Sequence, residues 1–201
     1  MQRPILTMPF IILLILTVVS GSGCNNIYSR YTDRANGYSI KLPLDWQKLG
    51  EETREMRGMK SWGVIFQKRL VMFFPRKFAR VLICKHVRIA EDFYNTPENY
   101  LNSLFTYEGD KIIDSGTAII SGRNVNWILA YTQLPLDNIH ATDSPFGTKT
   151  VINLVASKCL AYSVVKDNST FYTISFHALE NDFETYRDIF QNIAESFKIE
   201  N

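Results

Sequence analysis

The C-terminal helix is the sequence feature that most constrains the fold, because all of its large apolar residues lie on one side. These residues recur at spacings of three, four, three and four: Phe183, Tyr186, Phe190, Ile193 and Phe197. Such a stripe needs another layer of structure to cover it, since a one-sided helix is stable only against a packed surface. The segment Asn181-Asp182-Phe183-Glu184 predicts a capping-box start for this helix. With 46% hydrophobic and 13% aromatic residues, the chain is therefore expected to fold rather than to be disordered.

Alternating apolar and polar residues predict the strands that this helix covers. Residues 38–42 form one strand, and residues 64–66 and 81–89 are further candidates. Residues 112–120 and 125–131 predict one hairpin, and residues 160–165 and 171–178 predict another. A shorter helix begins at the N-cap Thr96, with Pro97 in its first turn and an apolar stripe of Tyr100, Leu101, Leu104 and Phe105. The pattern predicts an α+β fold, an antiparallel β-sheet sandwiched by helices, with the C-terminal helix packed on the sheet.

The N-terminal segment has the pattern of an export signal. Arg3 precedes an uncharged apolar run, residues 5–19, and small residues then lead to Cys24. About fifteen helical residues would span roughly 22 Å, less than the roughly 30 Å hydrocarbon core, so a permanent transmembrane anchor is the weaker interpretation. Ser22-Gly23-Cys24 resembles the end of a bacterial lipoprotein signal, in which the cysteine is lipidated, for instance with palmitate. The alternative is ordinary cleavage near Gly21 or Gly23, which would leave Cys24 as a free thiol.

These observations predict where the mature chain lies and how it is divided. We expect a lipoprotein-type signal peptide at residues 1–23, a short tether at 24–30 and one domain at 31–199. The protein would be exported and lipid-anchored at the periplasmic face of the cell envelope. By resemblance to lipoprotein sorting, Asn25 after the cysteine favours the outer membrane in a diderm bacterium. In that disulfide-permissive compartment, Cys84 and Cys159 are either paired or two inert buried thiols.

The charge of the chain is nearly balanced but unevenly distributed. The sequence has 22 basic and 20 acidic residues, a formal charge of +2. No acidic residue lies between Glu55 and Glu91, whereas the C-terminal part is mainly acidic. The basic stretch holds nine cations with interleaved aromatic residues, and it is a candidate contact surface for an acidic protein complex or anionic headgroups: Arg57, Lys60, Lys68, Arg69, Arg76, Lys77, Arg80, Lys85 and Arg88. The alternative is that strand alternation spreads these cations over both faces. Export argues against a nucleic-acid partner.

Motifs for catalysis or cofactor binding are absent from the sequence. It lacks the G-x-S-x-G, H-E-x-x-H, P-loop and dinucleotide patterns, so we expect no enzyme activity and no cofactor. Asp137, His140 and Asp143 are candidate ligands for a divalent cation, although such polar residues are also typical of a solvated turn. His177 is expected at the surface beside Glu180 and Asp182.

Two segments at the ends of the domain resemble a known family. Leu42-Pro43-Leu44-Asp45-Trp46 closes a strand near the start, and Tyr172-Thr173-Ile174-Ser175-Phe176 leads into the helix ending at residues 193–199. Together they resemble the PsbP-like group, which shares its fold with a Ran-binding nuclear-import protein. The resemblance implies the PsbP-like fold in a bacterial lipoprotein, and it implies a non-enzymatic role, because members of the group are accessory subunits and assembly factors.

The sequence therefore predicts a membrane-tethered, non-catalytic binding or assembly protein with a PsbP-like domain. The alternative function is a lipoprotein that carries or senses a small ligand or a divalent metal. A third interpretation is a hydrolase whose nucleophile meets His86, His140 or His177 only in the fold.

Overall fold

The computed structural model of the protein describes residues 27–56, 58–68, 78–89, 96–106, 108–135, 140–144, 147–151 and 154–200. The expected signal peptide and Cys24 lie outside these ranges. The described ranges contain twelve strands and two helices, which are β1 (Tyr28–Asp33), β2 (Tyr38–Pro43), β3 (Trp46–Met56), β4 (Met59–Lys68), β5 (Ala79–Arg88), α1 (Pro97–Ser103), β6 (Lys111–Ile120), β7 (Arg123–Pro135), β8 (His140–Ser144), β9 (Gly147–Val151), β10 (Leu154–Val165), β11 (Thr170–Leu179), α2 (Phe183–Glu195) and β12 (Lys198–Ile199).

Seven antiparallel strands form the main sheet, in the order β3-β4-β5-β11-β10-β7-β6. A three-stranded sheet has the order β1-β2-β12, and β8 pairs with β9. Both predicted hairpins are confirmed as β6–β7 and β10–β11. The first turns at Ser121 and Gly122, whose φ angles of 51° and 73° give the left-handed backbone that a two-residue hairpin loop requires. The expected antiparallel α+β architecture is confirmed.

Helix α2 packs on one face of the main sheet, as predicted. Phe183, Tyr186, Phe190 and Ile193 are buried, and Phe190 lies 4.9 Å from Phe176 of β11 between ring centroids. Burial of each such side chain contributes roughly 1.5–3 kcal/mol. The expected capping box is not formed, because the side chain of the N-cap residue Asp182 makes no capping hydrogen bond. The helix therefore depends on packing rather than on its N-terminal cap.

The opposite face of the sheet carries α1, a helix of seven residues. Its predicted N-cap is confirmed, because Thr96 Oγ1 accepts a hydrogen bond of 3.1 Å from the backbone N–H of Asn99. Leu101 is buried against Ile128 and Cys159, which fixes the helix to the sheet. The expected stripe extends past the helix, since Leu104 is already the C-cap residue. A helix of about 10 Å covers only part of this face.

The folded domain begins a few residues before residue 31, where the sequence predicts its start. Strand β1 begins at Tyr28, within the segment 24–30 predicted as a tether. The backbone carbonyl of Ile27 also accepts a hydrogen bond of 2.9 Å from the backbone N–H of Leu44. The chain is thus fixed to the domain from Ile27 onward.

Candidate functional site

Two predicted contact residues flank an indole ring on the α2 side of the main sheet. Lys60 and Trp62 lie on the same face of β4, and Lys85 is the residue opposite Trp62 on β5. The Nζ atoms of Lys60 and Lys85 lie 5.3 and 5.7 Å from the centroid of the Trp62 ring, within the range of cation–π attraction. All three side chains are partly exposed. We call this group the Trp62 surface.

The other described cations of the basic stretch lie elsewhere. Lys68 is at the far end of β4, where it forms an ion pair of 3.4 Å with Asp45. Arg80 is bound to the side-chain oxygen of Gln67, and Arg88 donates to the backbone carbonyl of Asn168. Along β5, Arg80 and Arg88 alternate with the residues that face α2, so they lie on the α1 side of the sheet. The remaining predicted contact residues lie outside the described ranges: Arg57, Arg69, Arg76 and Lys77.

The candidate metal ligands can be placed only by their backbone. Asp137 lies outside the described ranges, and His140 and Asp143 belong to strand β8, which pairs with β9. Within the part of the chain that the structure describes, His, Cys, Asp and Glu side chains form no group of three or more that could hold a metal ion. Neither described helix has the length and apolar character needed to cross a membrane.

The two described cysteines are free and buried. Cys84 is on β5 and Cys159 on β10, with β11 between these strands. Two strand spacings separate them by about 10 Å across the sheet, and their partners on β11, Thr173 and His177, lie a further four residues apart, about 13 Å along the strand. Both distances exceed the Cα separation that a disulfide can bridge. Of the two alternatives that the sequence leaves open, the structure therefore favours buried thiols. Burial raises the pKa of Cys84 to about 12 and also raises the pKa of Cys159, so neither is a thiolate near neutral pH.

His177 is more enclosed than the surface position expected from the sequence. His177 is only partly exposed, and its Nε2 atom lies 3.6 Å from the Sγ atom of Cys159 on the neighbouring strand. Burial, followed by the charge of Arg80, lowers the pKa of His177 to about 4. Sequence analysis missed this pair, although the predicted β10–β11 hairpin places the two residues at similar distances from its turn.

A cavity of about 310 Å³ lies on the α1 side of the sheet, next to the part of that face that α1 covers. Strands β3, β4 and β5 form one wall, and α1 with the residues after it forms the other. We call it the α1 cavity, and its lining residues are Glu52, Arg54, Met59, Ser61, Gly63, Leu82, Cys84, His86, Tyr100, Ser103, Leu104 and Thr106. Because residues alternate along β4, this strand contributes Ser61 and Gly63 to the cavity and Trp62 to the opposite face.

His86 is the most enclosed titratable group of the α1 cavity. It has no exposed surface, and its two ring nitrogens lie 2.8 Å from Ser61 Oγ and 2.9 Å from Thr173 Oγ1. Its ring stacks on Phe171 with centroids 4.7 Å apart, and Tyr100 packs 4.3 Å away. Burial lowers the pKa of His86 to about 3. A serine and a histidine do meet here, but this imidazole accepts a proton too weakly to act as a general base at neutral pH.

No protein-family model matches the sequence, and no curated protein matches it significantly. Among solved structures, the chain is similar to cyanobacterial PsbP (CyanoP) from Synechocystis sp. PCC 6803, with a TM-score of 0.50 and 14% identity, covering 90% of this chain and 99% of CyanoP. It is also similar to LpqN, involved in cell envelope biogenesis of Mycobacterium tuberculosis, with a TM-score of 0.46 and 14% identity over 90% of this chain and 88% of LpqN. The Saccharomyces cerevisiae Ran-binding protein Mog1p gives a TM-score of 0.47 and 8% identity over 86% of this chain and 95% of Mog1p. The likeness to CyanoP shows that this chain has the PsbP-like fold, which confirms the fold expected from the resemblance.

Proposed function

We propose that the protein is a membrane-tethered, non-catalytic accessory lipoprotein that binds an acidic protein partner through the Trp62 surface. The observation that carries this proposal is the placement of Lys60 and Lys85 on either side of a partly exposed indole ring. Tryptophan is enriched where proteins bind one another, above all among the residues that contribute most to affinity. The two ammonium groups supply attraction and orientation toward an acidic surface.

The position of the tether favours a protein partner over the membrane itself. Only Asn25 and Asn26 lie between Cys24 and Ile27, so a lipid on Cys24 would lie within about 10 Å of the fixed end of the domain. This end is next to Leu44, two residues before β3, and the first residue of β3, Trp46, pairs with Lys68. Trp62 is six residues further along β4, about 20 Å from the tethered end. The Trp62 surface thus lies about 20 Å from the point at which a lipid on Cys24 would hold the domain, and this distance leaves room for a protein partner.

The titratable groups of the described core support a binding role rather than catalysis. His86 stays neutral because burial lowers its pKa, and the Cys84 and Cys159 thiols stay protonated because burial raises theirs. A catalytic pair needs pKa values near the working pH. In this protein burial moves the pKa values of the histidine and of the two cysteines away from neutral pH, which is typical of structural core positions.

Site-specific photocrosslinking tests the contact surface in the cell envelope. A benzophenone amino acid replaces Trp62 in one variant and Ile119, an isoleucine with 69% exposure on edge strand β6, in a control variant. We expect adducts with an acidic protein from position 62 but not from position 119. The double change Lys60→Glu, Lys85→Glu should remove these adducts, because two attractive charges become repulsive.

A matched pair of charge reversals distinguishes this surface from general charge effects. Lys166→Glu, Lys198→Glu changes the net charge equally at two exposed positions outside the Trp62 surface. Adducts from position 62 should survive in this control. If the Lys60 and Lys85 reversals leave the adducts unchanged, or if both pairs reduce them equally, the Trp62 surface is not the contact site.

A further inference from the structure

The α1 cavity is independent of the Trp62 surface, since the two lie on opposite faces of β4. At about 310 Å³ it reaches the size range of small-molecule sites. It is about twice the volume of an engineered cavity that holds benzene, so it suits a ligand of on the order of a dozen non-hydrogen atoms. The space exists partly because Gly63 lacks a side chain. A Cβ atom at this position would lie 2.9 Å from Cys84 Sγ and 3.3 Å from Leu82 Cδ1.

The walls of the α1 cavity combine apolar side chains with a few hydroxyl groups. Met59, Leu82 and Leu104 supply apolar surface from the sheet and from the residue that ends α1. Ser103 and Thr106, in contrast, direct their hydroxyl hydrogens to the backbone carbonyls of Tyr100 and Ser103. Their oxygens remain able to accept hydrogen bonds.

One hydroxyl group is held in place at the inner end of this space. Ser61 Oγ is 2.8 Å from His86 Nδ1, and His86 is fixed in turn by Thr173 and by stacking on Phe171. Ser61 is partly exposed whereas His86 is fully buried, so Ser61 is the member of this network that a ligand could touch. A hydroxyl has one donor and two acceptor sites, and the contact with His86 uses one of them.

The two charged residues that line the α1 cavity lie at its edge and pair with each other. Arg54 and Glu52 form an ion pair of 2.8 Å, and the Arg54 side chain is 68% exposed. Inside, the Cys84 thiol and the His86 imidazole are uncharged near neutral pH. A charged ligand would lose its hydration without meeting an opposite charge, which is costly.

We propose that the α1 cavity binds a small uncharged amphipathic molecule, with its apolar part against Met59, Leu82 and Leu104 and one hydroxyl group hydrogen-bonded to Ser61. This ligand class follows from the volume, the apolar walls, the oriented hydroxyl and the internally paired charges. Binding of this ligand is separate from contact with a protein partner, which uses the opposite face of the sheet.

Two naphthalene derivatives test the proposal directly. The probe is 2-naphthol, which is neutral and carries one hydroxyl on an apolar ring, and the comparison ligand is naphthalene-2-sulfonate, which has the same ring and a negative charge. Both are titrated into the exported protein carrying Cys24→Ser, so that no acyl chain competes for the cavity, and the methyl NMR signals of Met59, Leu82 and Leu104 are followed. We expect saturable shifts with 2-naphthol and a dissociation constant of about 50 µM to 1 mM. The sulfonate should bind at least about tenfold more weakly.

Substitutions locate the binding. Leu104→Trp should fill the space and abolish the shifts, while Ile119→Trp makes the same kind of change at an exposed position and should leave binding intact. Ser61→Ala should weaken 2-naphthol by about three- to tenfold through loss of the hydroxyl partner. If Leu104→Trp disturbs folding, Thr106→Trp, two residues further along the same wall of the cavity, replaces it. Absence of saturable shifts, equal binding of the sulfonate, or unchanged binding in the filled variant would each overturn the proposal.

Discussion

The buried imidazole of His86 makes stability depend on pH in a window where carboxylates contribute little. The folded state holds the His86 pKa near 3 because of burial, whereas the unfolded chain has the ordinary value of 6.5. Below pH 6.5 the unfolded state therefore binds a proton that the folded state does not. Stability is complete above this pH and is lost as the pH falls toward 3.

The expected loss is about 1.4 kcal/mol per pH unit once the unfolded histidine is protonated, which amounts to about 2 kcal/mol between pH 7 and pH 5. Urea unfolding at pH 7, 6 and 5, followed by tryptophan fluorescence, measures it. The comparison variant is His86→Gln, which keeps hydrogen-bonding groups near Ser61 and Thr173 but cannot titrate. His177 is present in both proteins, so its contribution to the pH dependence of stability cancels when the two are compared.

We expect His86→Gln to be less stable than the wild type at pH 7. Between pH 7 and pH 5, however, its free energy of unfolding should fall by about 2 kcal/mol less than that of the wild type. If the two proteins lose equal free energy of unfolding over this window, His86 is not a neutral buried group and the explanation is wrong.

Two further predictions concern packing and thiol accessibility. Phe190→Ala should lower the free energy of unfolding by about 3–5 kcal/mol, because a buried ring is removed from α2. Asn192→Ala on the exposed side should change it by less than about 0.5 kcal/mol, and equal effects would contradict the packing of α2. In the exported but unlipidated chain, an aromatic disulfide reagent at pH 8 should react with Cys24 alone, and Cys84 and Cys159 should react only after unfolding in urea. Rapid reaction of all three thiols in the native state would refute their burial.

Strong periodic patterns were sufficient to predict the central elements. The β10–β11 hairpin and α2 have long apolar repeats and clear turns, so local sequence determines both their type and their approximate limits. Strand β3 was not predicted, because it is an edge strand in which charged residues occupy many positions: Lys48, Glu51, Glu52, Arg54 and Glu55. Such charges protect an exposed edge from pairing with other chains, but they also hide the strand from hydropathy patterns.

The candidate sites depend on contacts between residues that are distant in the sequence. Ser61 and His86 are on neighbouring strands, 25 residues apart, and Tyr100 reaches them from a separate helix. Alternation marks His177 as polar and therefore exposed, yet its side of the sheet is partly covered by α1, whose sequence lies about 75 residues earlier. Sequence periodicity identifies the faces of a strand, but it does not indicate which face another element covers.

The basic stretch illustrates the same limit for charge. Nine cations in a stretch without an acidic residue predict one basic surface. In the fold, strand pairing places the described cations at different positions on the sheet. Lys60 and Lys85 remain beside Trp62, whereas Lys68 binds Asp45 at the other end of β4. Strand register, which composition does not contain, decides which charges act together.

Tethering through Cys24 is the central claim of the proposed function, and membrane fractionation with labelled palmitate tests it most directly. The full chain and its Cys24→Ala variant are expressed in a bacterial host, and the exported protein is followed in membrane and soluble fractions. We predict that the wild-type protein carries the label and sediments with membranes, while Cys24→Ala is unlabelled and soluble. A Cys24→Ala protein that is exported, processed and still membrane-bound would contradict a lipid anchor at this residue.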